Sequence, residues 1–230
     1  MFAGGILKIS VLIPVAVRVQ QPAELLLRLF PDSHITRIAL RTLATAMSQT
    51  AVAELEIDPN NIGGEFQPSA TAEGQDGKEA DIFLYDNVAD GAGFVQEATK
   101  EPIAFLRKVL QRLENCDCEH SCWKCLQSYQ NRFTHGDLDR QTAVSLLRYL
   151  LDETKPELPE STQKILLNVL LIDLQDNGID PKEIKQDIII THSLLLQNVI
   201  QQNGNIYVPH LLIDRALPAA TQQVLLELNR

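Results

Sequence analysis

Four cysteines stand within ten residues of this chain, as Cys116-x-Cys118-x3-Cys122-x2-Cys125, and the other 220 positions hold none. A disulfide framework would spread its cysteines along the chain to staple distant parts together. A cluster this tight in a reducing compartment points to metal or redox chemistry. Four thiolates complete a tetrahedral shell around Zn²⁺ and leave no position for water or substrate, so the site would be structural. The short spacers let one compact loop supply every ligand, and Lys124 with the neighbouring backbone N–H groups would offset the negative charge of a four-thiolate centre. An iron–sulfur cluster also takes four thiolates, but the Cys-x-Cys start does not match the usual cluster spacings. A redox Cys122-x2-Cys125 would need a thioredoxin-like βαβ setting, which the surrounding sequence lacks. His120 and His135 are each able to replace a cysteine; with four cysteines present, both read as ordinary loop histidines.

Other residues also carry chemistry-bearing groups. Asp86-Asn87, followed by Gly91 and Gly93, could form an anion or metal loop at a helix start, but Asp86 and Asp90 would repel phosphate, so a plain turn is the preferred reading. His34, His192 and His210, with Asp86 or Asp214, allow a hydrolase or nuclease to be written, though nothing in the spacing fixes its geometry. No H-E-x-x-H, G-x-S-x-G or G-x-x-x-x-G-K-[ST] pattern occurs; Gly77-Lys78 continues to Glu79. Trp123, Tyr129 and Phe133, interleaved with Lys124, Arg132 and Arg140, have the chemistry to stack on and neutralise a single DNA strand.

The elements that must position these groups follow from periodicity. Residues 6–19 are rich in β-branched residues and read as a strand, with Pro14 as an edge or a break. Residues 35–54 carry Ile38, Leu40, Leu43, Ala44 and Met47 at helical spacing. Residues 58–79 read as turns and loop, 80–88 as a buried strand, and 90–93 as a tight turn. Helices are expected from Phe94 and from Pro102, the latter with a stripe of Ile103, Leu106, Val109, Leu110 and Leu113. Asp137 or Asp139 should cap a helix running to Leu151. The KPELPE segment at 155–160 marks a linker. Beyond it Leu166, Leu167, Leu170 and Leu171 predict a helix stopped near Gly178; 188–200 and 206–213 are apolar and open to either structure, and a last helix covers 218–228. The expected fold is α+β: a small sheet with helices and a four-cysteine zinc loop over residues 1–154, then a mostly helical or α/β appendage over 161–230.

Composition bounds the function. Hydrophobic residues make up 45% of the chain, an ordinary globular value, but only 5% is aromatic. The net charge is −10, so the whole chain lacks the basic footprint of a free-standing DNA binder. Residues 100–148, which hold the cysteines, are the exception, with eight Lys and Arg against six Asp and Glu. There is no convincing signal peptide and no apolar run approaching the ~18 residues of a membrane span, which makes the cytoplasm the natural setting.

The run LYDNVADGAGF (84–94), a helix, CDCEHSCWKCLQSYQNRFTHGDLDR (116–140) and the helix TAVSLLRYLL (142–151) together resemble a known family. It is the zinc-binding domain at the C-terminal end of mitomycin-repair-type (MrfA-like) DEAD/DEAH helicases, related to domains of the DISARM phage-defence system. The resemblance covers roughly residues 35–151; none is found for 160–230. Asp90-Gly91 stands where the family often has two glycines, and no helicase core is present. The resemblance implies one structural Zn²⁺ on Cys116, Cys118, Cys122 and Cys125. It further implies a non-catalytic module in DNA repair or phage defence, with a DEAD/DEAH-box helicase subunit as partner and DNA reached through that complex, by Lys124, Arg132 and Arg140. The competing readings are a metal-dependent hydrolase or nuclease built on Asp and His, and an interaction scaffold with no nucleic-acid role. Lacking a phosphate loop, the isolated chain should release no phosphate from ATP; a phosphate-release assay with robust turnover would contradict this.

Overall fold

The structure, a computed structural model, describes residues 6–14, 34–68, 77–88 and 91–229. Contacts divide them into two units: residues 6–14 with 34–155, and residues 156–229. The second half of the strand expected at 6–19, the middle of the loop expected at 58–79 and Asp90 lie outside the described residues.

The first unit is built on a three-stranded antiparallel sheet in which β3 (Gly77–Asp86) lies between β1 (Ile6–Pro14) and β2 (Ile62–Pro68). The register sets Leu84 opposite Leu7 on one side and Gly64 on the other. Ala80, Ile82 and Leu84 alternate along β3 and are fully buried, which is the period-two pattern of a strand covered on one face. The covering element is α1 (His34–Leu55). Its Ile38, Ala39, Leu40, Leu43, Ala46 and Met47 are all at or near zero exposure and do not fall on one stripe. A helix apolar on several sides is a buried helix, and α1 accordingly packs on β2 and β3 while also meeting α2 (Phe94–Ala98), α3 (Pro102–Glu114) and α4 (Arg140–Asp152).

Two expectations need correction. The segment from 58 onward is not all turn, because β2 begins at Ile62. Its Gly63-Gly64 looks like turn chemistry but answers a packing demand. A Cβ at Gly63 would run into the Tyr85 ring, and one at Gly64 into the Ala44 carbonyl oxygen of α1. The strand can approach the helix only where no side chain intervenes, and Ser48 Oγ then donates to Ile62 O at 2.8 Å across the gap. In α3 the buried stripe is Phe105, Leu106, Val109, Leu110 and Leu113, whereas Ile103 is exposed. Pro102 opens that helix as expected. Ion pairs Arg107–Asp152 and Arg148–Glu114 link α3 to α4 on the surface, where solvent screens them and packing dominates.

The second unit contains α5 (Glu160–Asp176), β4 (Asp187–Thr191), β5 (Ile200–Gln202), β6 (Asn205–Pro209) and α6 (His210–Leu228). β6 is central, parallel to β4 and antiparallel to β5. Asn203-Gly204 joins β5 to β6 with both residues at positive φ (52° and 79°), the requirement of a two-residue hairpin turn. Leu170, Leu174, Ile190, Ile206, Val208, Ile213 and Val224 form its core. The last helix starts eight residues earlier than the expected 218, at His210, and Ala216 (φ −151°) breaks its geometry just before Pro218. No helix among the described residues is long and apolar enough to cross a membrane.

Gly64→Ala should destabilise the first unit by about 1–3 kcal/mol, since the clash is with backbone rather than with a mobile side-chain end. Urea unfolding of the variant reads this directly; an unchanged midpoint would contradict the packing account.

Candidate metal centre

Helix α3 closes at Glu114, with Asn115 N–H bonded to Gln111 O, and the chain enters a loop of turns that runs to α4. Cys116 and Cys118 leave the helix end. Cys122 and Cys125 form a tight knuckle in which Cys122 O accepts the N–H groups of Cys125, Leu126 and Gln127 at 3.1, 3.0 and 2.9 Å. Cys122 N–H points at Cys125 Sγ, 3.3 Å away. The four Sγ atoms lie within 4.8 Å of one another, with 3.5 Å for Cys116–Cys122, 3.5 Å for Cys118–Cys125 and 3.7 Å for Cys122–Cys125. Disulfide sulfurs would stand at ~2.05 Å. A tetrahedron with Zn–S bonds of ~2.3 Å has edges of about 3.8 Å. The donor set therefore fits a closed four-thiolate zinc shell in size as well as in chemistry. Desolvation works against the Cys122 thiolate, but the Lys124 backbone N–H and the Cys116 thiol outweigh it and draw its pKa down to about 7, while burial pushes Cys125 up.

The framework that holds this loop comes from both ends of the unit. The N-terminus of α4 grips its first half. Arg140 is only 6% exposed, and its guanidinium donates to Cys118 O at 3.1 and 2.8 Å and to Leu113 O at 3.0 Å, while its backbone N–H donates to His120 O at 2.7 Å. Asp139 caps α4 by accepting Thr142 N–H at 2.7 Å and meets His120 Nδ1 at 3.0 Å. Its own N–H donates to Thr42 Oγ1 of α1, at 2.9 Å. The second half of the loop is anchored by Leu126, which is fully buried and whose carbonyl accepts Gln49 Nε2 and Asn131 Nδ2, both at 2.7 Å. Burial works to raise the Asp139 pKa, but the bonds from His120 and Thr142 outweigh it and hold the carboxyl at about 2.

The sequence-predicted residues thus separate. The four cysteines come together. His120 and His135 do not join them: His120 is engaged by Asp139, and His135 Nε2 lies 3.0 Å from Ser128 O and 2.9 Å from Asn131 Oδ1. Of the three cations singled out for nucleic acid, Lys124 and Arg132 are exposed, but Arg140 is part of the loop framework, its guanidinium spent on carbonyls. Asp86 accepts the N–H groups of Gly93 and Val95 at 2.7 and 2.8 Å, so it caps the entry to α2. His34 and Asp86 belong to the first unit, and His192, His210 and Asp214 to the second. His192 and His210 do meet, with ring centroids 4.8 Å apart, yet each Nδ1 accepts a backbone N–H, from Leu194 and Ser193 respectively. Both are buried and bonded within the fold. What sequence reasoning missed is the Asp139–Arg140 grip; Asp139 had a capping signal, but nothing in the pattern reported that Arg140 would turn inward.

Residues 43–126 match the family described as the MrfA Zn-binding domain, a span that runs from α1 to the end of the knuckle. Over 129 residues the chain is 36% identical to the Druantia protein DruE of Escherichia coli (strain UMEA 4076-1), a stretch that is 55% of this chain and 7% of DruE. It is 32% identical over 73 residues to an uncharacterised protein of Methanocaldococcus jannaschii, covering 32% of this chain and 65% of that one. Among solved structures it is similar to the crystal structure of the DUF1998 helicase MrfA bound to DNA, at 17% identity and a TM-score of 0.35, over 51% of this chain and 14% of that chain. The complex of MrfA with DNA and AMPPNP gives the same identity and score. The chain spans less than two thirds of each of these proteins. It carries a zinc-binding domain of the MrfA type, and one zinc ion is the cofactor of that domain.

The Asp139 carboxylate stabilises the fold wherever it is ionised: its contribution is fully present above the ordinary value of 3.8 and is lost as pH falls through about 2. At pH 7 Asp139→Asn should cost roughly 2 kcal/mol, because the cap survives and the anion does not, and Asp139→Ala about 1 kcal/mol more. Urea unfolding of the zinc-loaded proteins separates the two; an Asn variant as stable as the parent would contradict it.

Proposed function

We propose that Cys116, Cys118, Cys122 and Cys125 hold the zinc as a closed structural centre. In this reading the chain is a non-catalytic module that belongs to, or docks on, a DEAD/DEAH-box DNA helicase in DNA repair or anti-phage defence, in the cytoplasm. The observation that carries it is the four-thiolate cluster at tetrahedral spacing inside a match to the MrfA zinc-binding family. A closed shell offers no open coordination position, so the zinc supplies folding free energy rather than Lewis-acid chemistry. The helicase association rests on the match of residues 43–126 to the MrfA Zn-binding domain together with the resemblance to the zinc-binding domain of MrfA-like helicases. Residues 161–230 then form a separate appendage.

DNA enters through the assembly. At −10 the chain repels bulk DNA at physiological salt. Lys124 and Arg132, exposed on the zinc loop, are the cationic contacts left to guide a strand delivered by a motor.

The purified chain should contain about one zinc. Cys122→Ser should lose it and loosen residues 110–150, seen as a lowered melting temperature, because for such loops metal-binding free energy is folding free energy. Iron with a visible chromophore, or zinc loss with an unchanged melting curve, would contradict the assignment. Affinity capture from native cells should recover a helicase ATPase; stoichiometric recovery of an unrelated partner in its place would contradict the association.

A further inference from the structure

The zinc loop exposes more aromatic surface than a solvated rim requires. Trp123, Tyr129 and Phe133 are 66%, 70% and 85% exposed, in a chain with only one Trp, four Tyr and seven Phe. The Arg132 guanidinium carbon sits 4.2 Å from the Tyr129 ring centroid and 4.3 Å from that of Phe133, so the cation is held between two rings whose outer faces stay open. The same turn borders a cleft of about 420 Å³ between α1, β2 and the zinc loop. Trp123 lies at this cleft, braced edge-on by His135 at 5.5 Å, with Tyr85 among the other lining residues. Of its amides, Gln49 and Asn131 donate to Leu126 O and Gln127 to Ser121, which fixes the cleft wall, and Glu65 and Arg112 are its only charged residues among those described.

We propose that this surface binds an unpaired nucleotide of a single strand, the base entering the cleft beside Trp123 and the neighbouring backbone and base lying along Lys124 and the Tyr129–Arg132–Phe133 stack. Residues 128, 130 and 131 face the cleft while 129, 132 and 133 form the stack, so one turn serves both parts. Open ring faces suit sequence-tolerant stacking of bases, and the guanidinium between them suits a phosphate. A duplex keeps its Watson–Crick edges paired and its base faces stacked, so it has no base free to enter the cleft or to stack on the open rings. The inference rests on the reading of this chain as part of a DNA-handling assembly and deepens it by naming the form of nucleic acid.

Trp123 is the only tryptophan, so intrinsic fluorescence reports the site without a label. The zinc-loaded full chain is titrated at low salt with thymidine or uridine oligomers of about 12 nucleotides and with a duplex of the same length. Saturable quenching by the single strands and not by the duplex is expected, and the tighter of DNA and RNA names the source. Tyr129→Ala with Phe133→Ala should weaken binding at least about tenfold, with zinc content and melting temperature unchanged because both side chains are exposed. Equal quenching by duplex, no quenching, or unchanged binding by the double variant overturns the inference. So does a double variant that loses capture of the helicase when the parent binds no strand, which would assign the surface to protein docking. A zinc-replete chain that captures a helicase yet fails these titrations leaves the preceding reading standing, whereas absence of zinc strikes that reading instead.

Discussion

The first unit depends on keeping an irregular loop in one shape. Between the end of α3 and the start of α4 the chain makes turns but no α-helix or strand, and its backbone groups need partners from elsewhere. Arg140 supplies them on one side, spanning Leu113 O and Cys118 O from the first residue of α4, and Asp139 ties the same point to His120 and to Thr42 of α1. Buried charges of this kind cost several kcal/mol when either partner is lost and stabilise only when fully bonded. Here both are. The four thiols converge because the helix end, the knuckle and this grip leave the loop no other path.

Zinc and packing therefore act on the same object from two sides. In the proposed centre the metal would tie Cys116 and Cys118, next to α3, to the knuckle of Cys122 and Cys125, while Leu126 and Gln49 fasten the knuckle to α1. The division explains why the aromatic residues of the loop can face outward. With the fold held by sulfur, carbonyl bonds and one buried leucine, Trp123, Tyr129 and Phe133 are not needed in the core.

The cluster was legible in the sequence because its signal is local: four identical ligand types at short spacing, with no competing copy. The helices of the first unit were legible for the same reason, through period and caps, down to Pro102 and Asp139. What escaped were demands set by tertiary contact. Gly63 and Gly64 read as a turn because the α1 backbone and the Tyr85 ring that require them are distant in sequence. Ile103 and Phe105 both fit a helical stripe, and only the partner surface chose Phe105. Arg140 carries the same charge as Arg132, yet one is locked inside and the other displayed, a distinction no charge count contains. The meeting of His192 with His210 depended on two parallel strands ending side by side.

The central claim is a closed shell of four cysteine thiolates that fixes the loop. X-ray absorption at the zinc edge of the purified chain tests it most directly, because it counts and identifies the nearest neighbours of the metal. The account predicts four sulfur scatterers at ~2.3 Å and no nitrogen or oxygen in the shell. A mixed shell with imidazole nitrogen at ~2.0–2.1 Å, bringing His120 or His135 in for a cysteine, or an added oxygen from water, would contradict it.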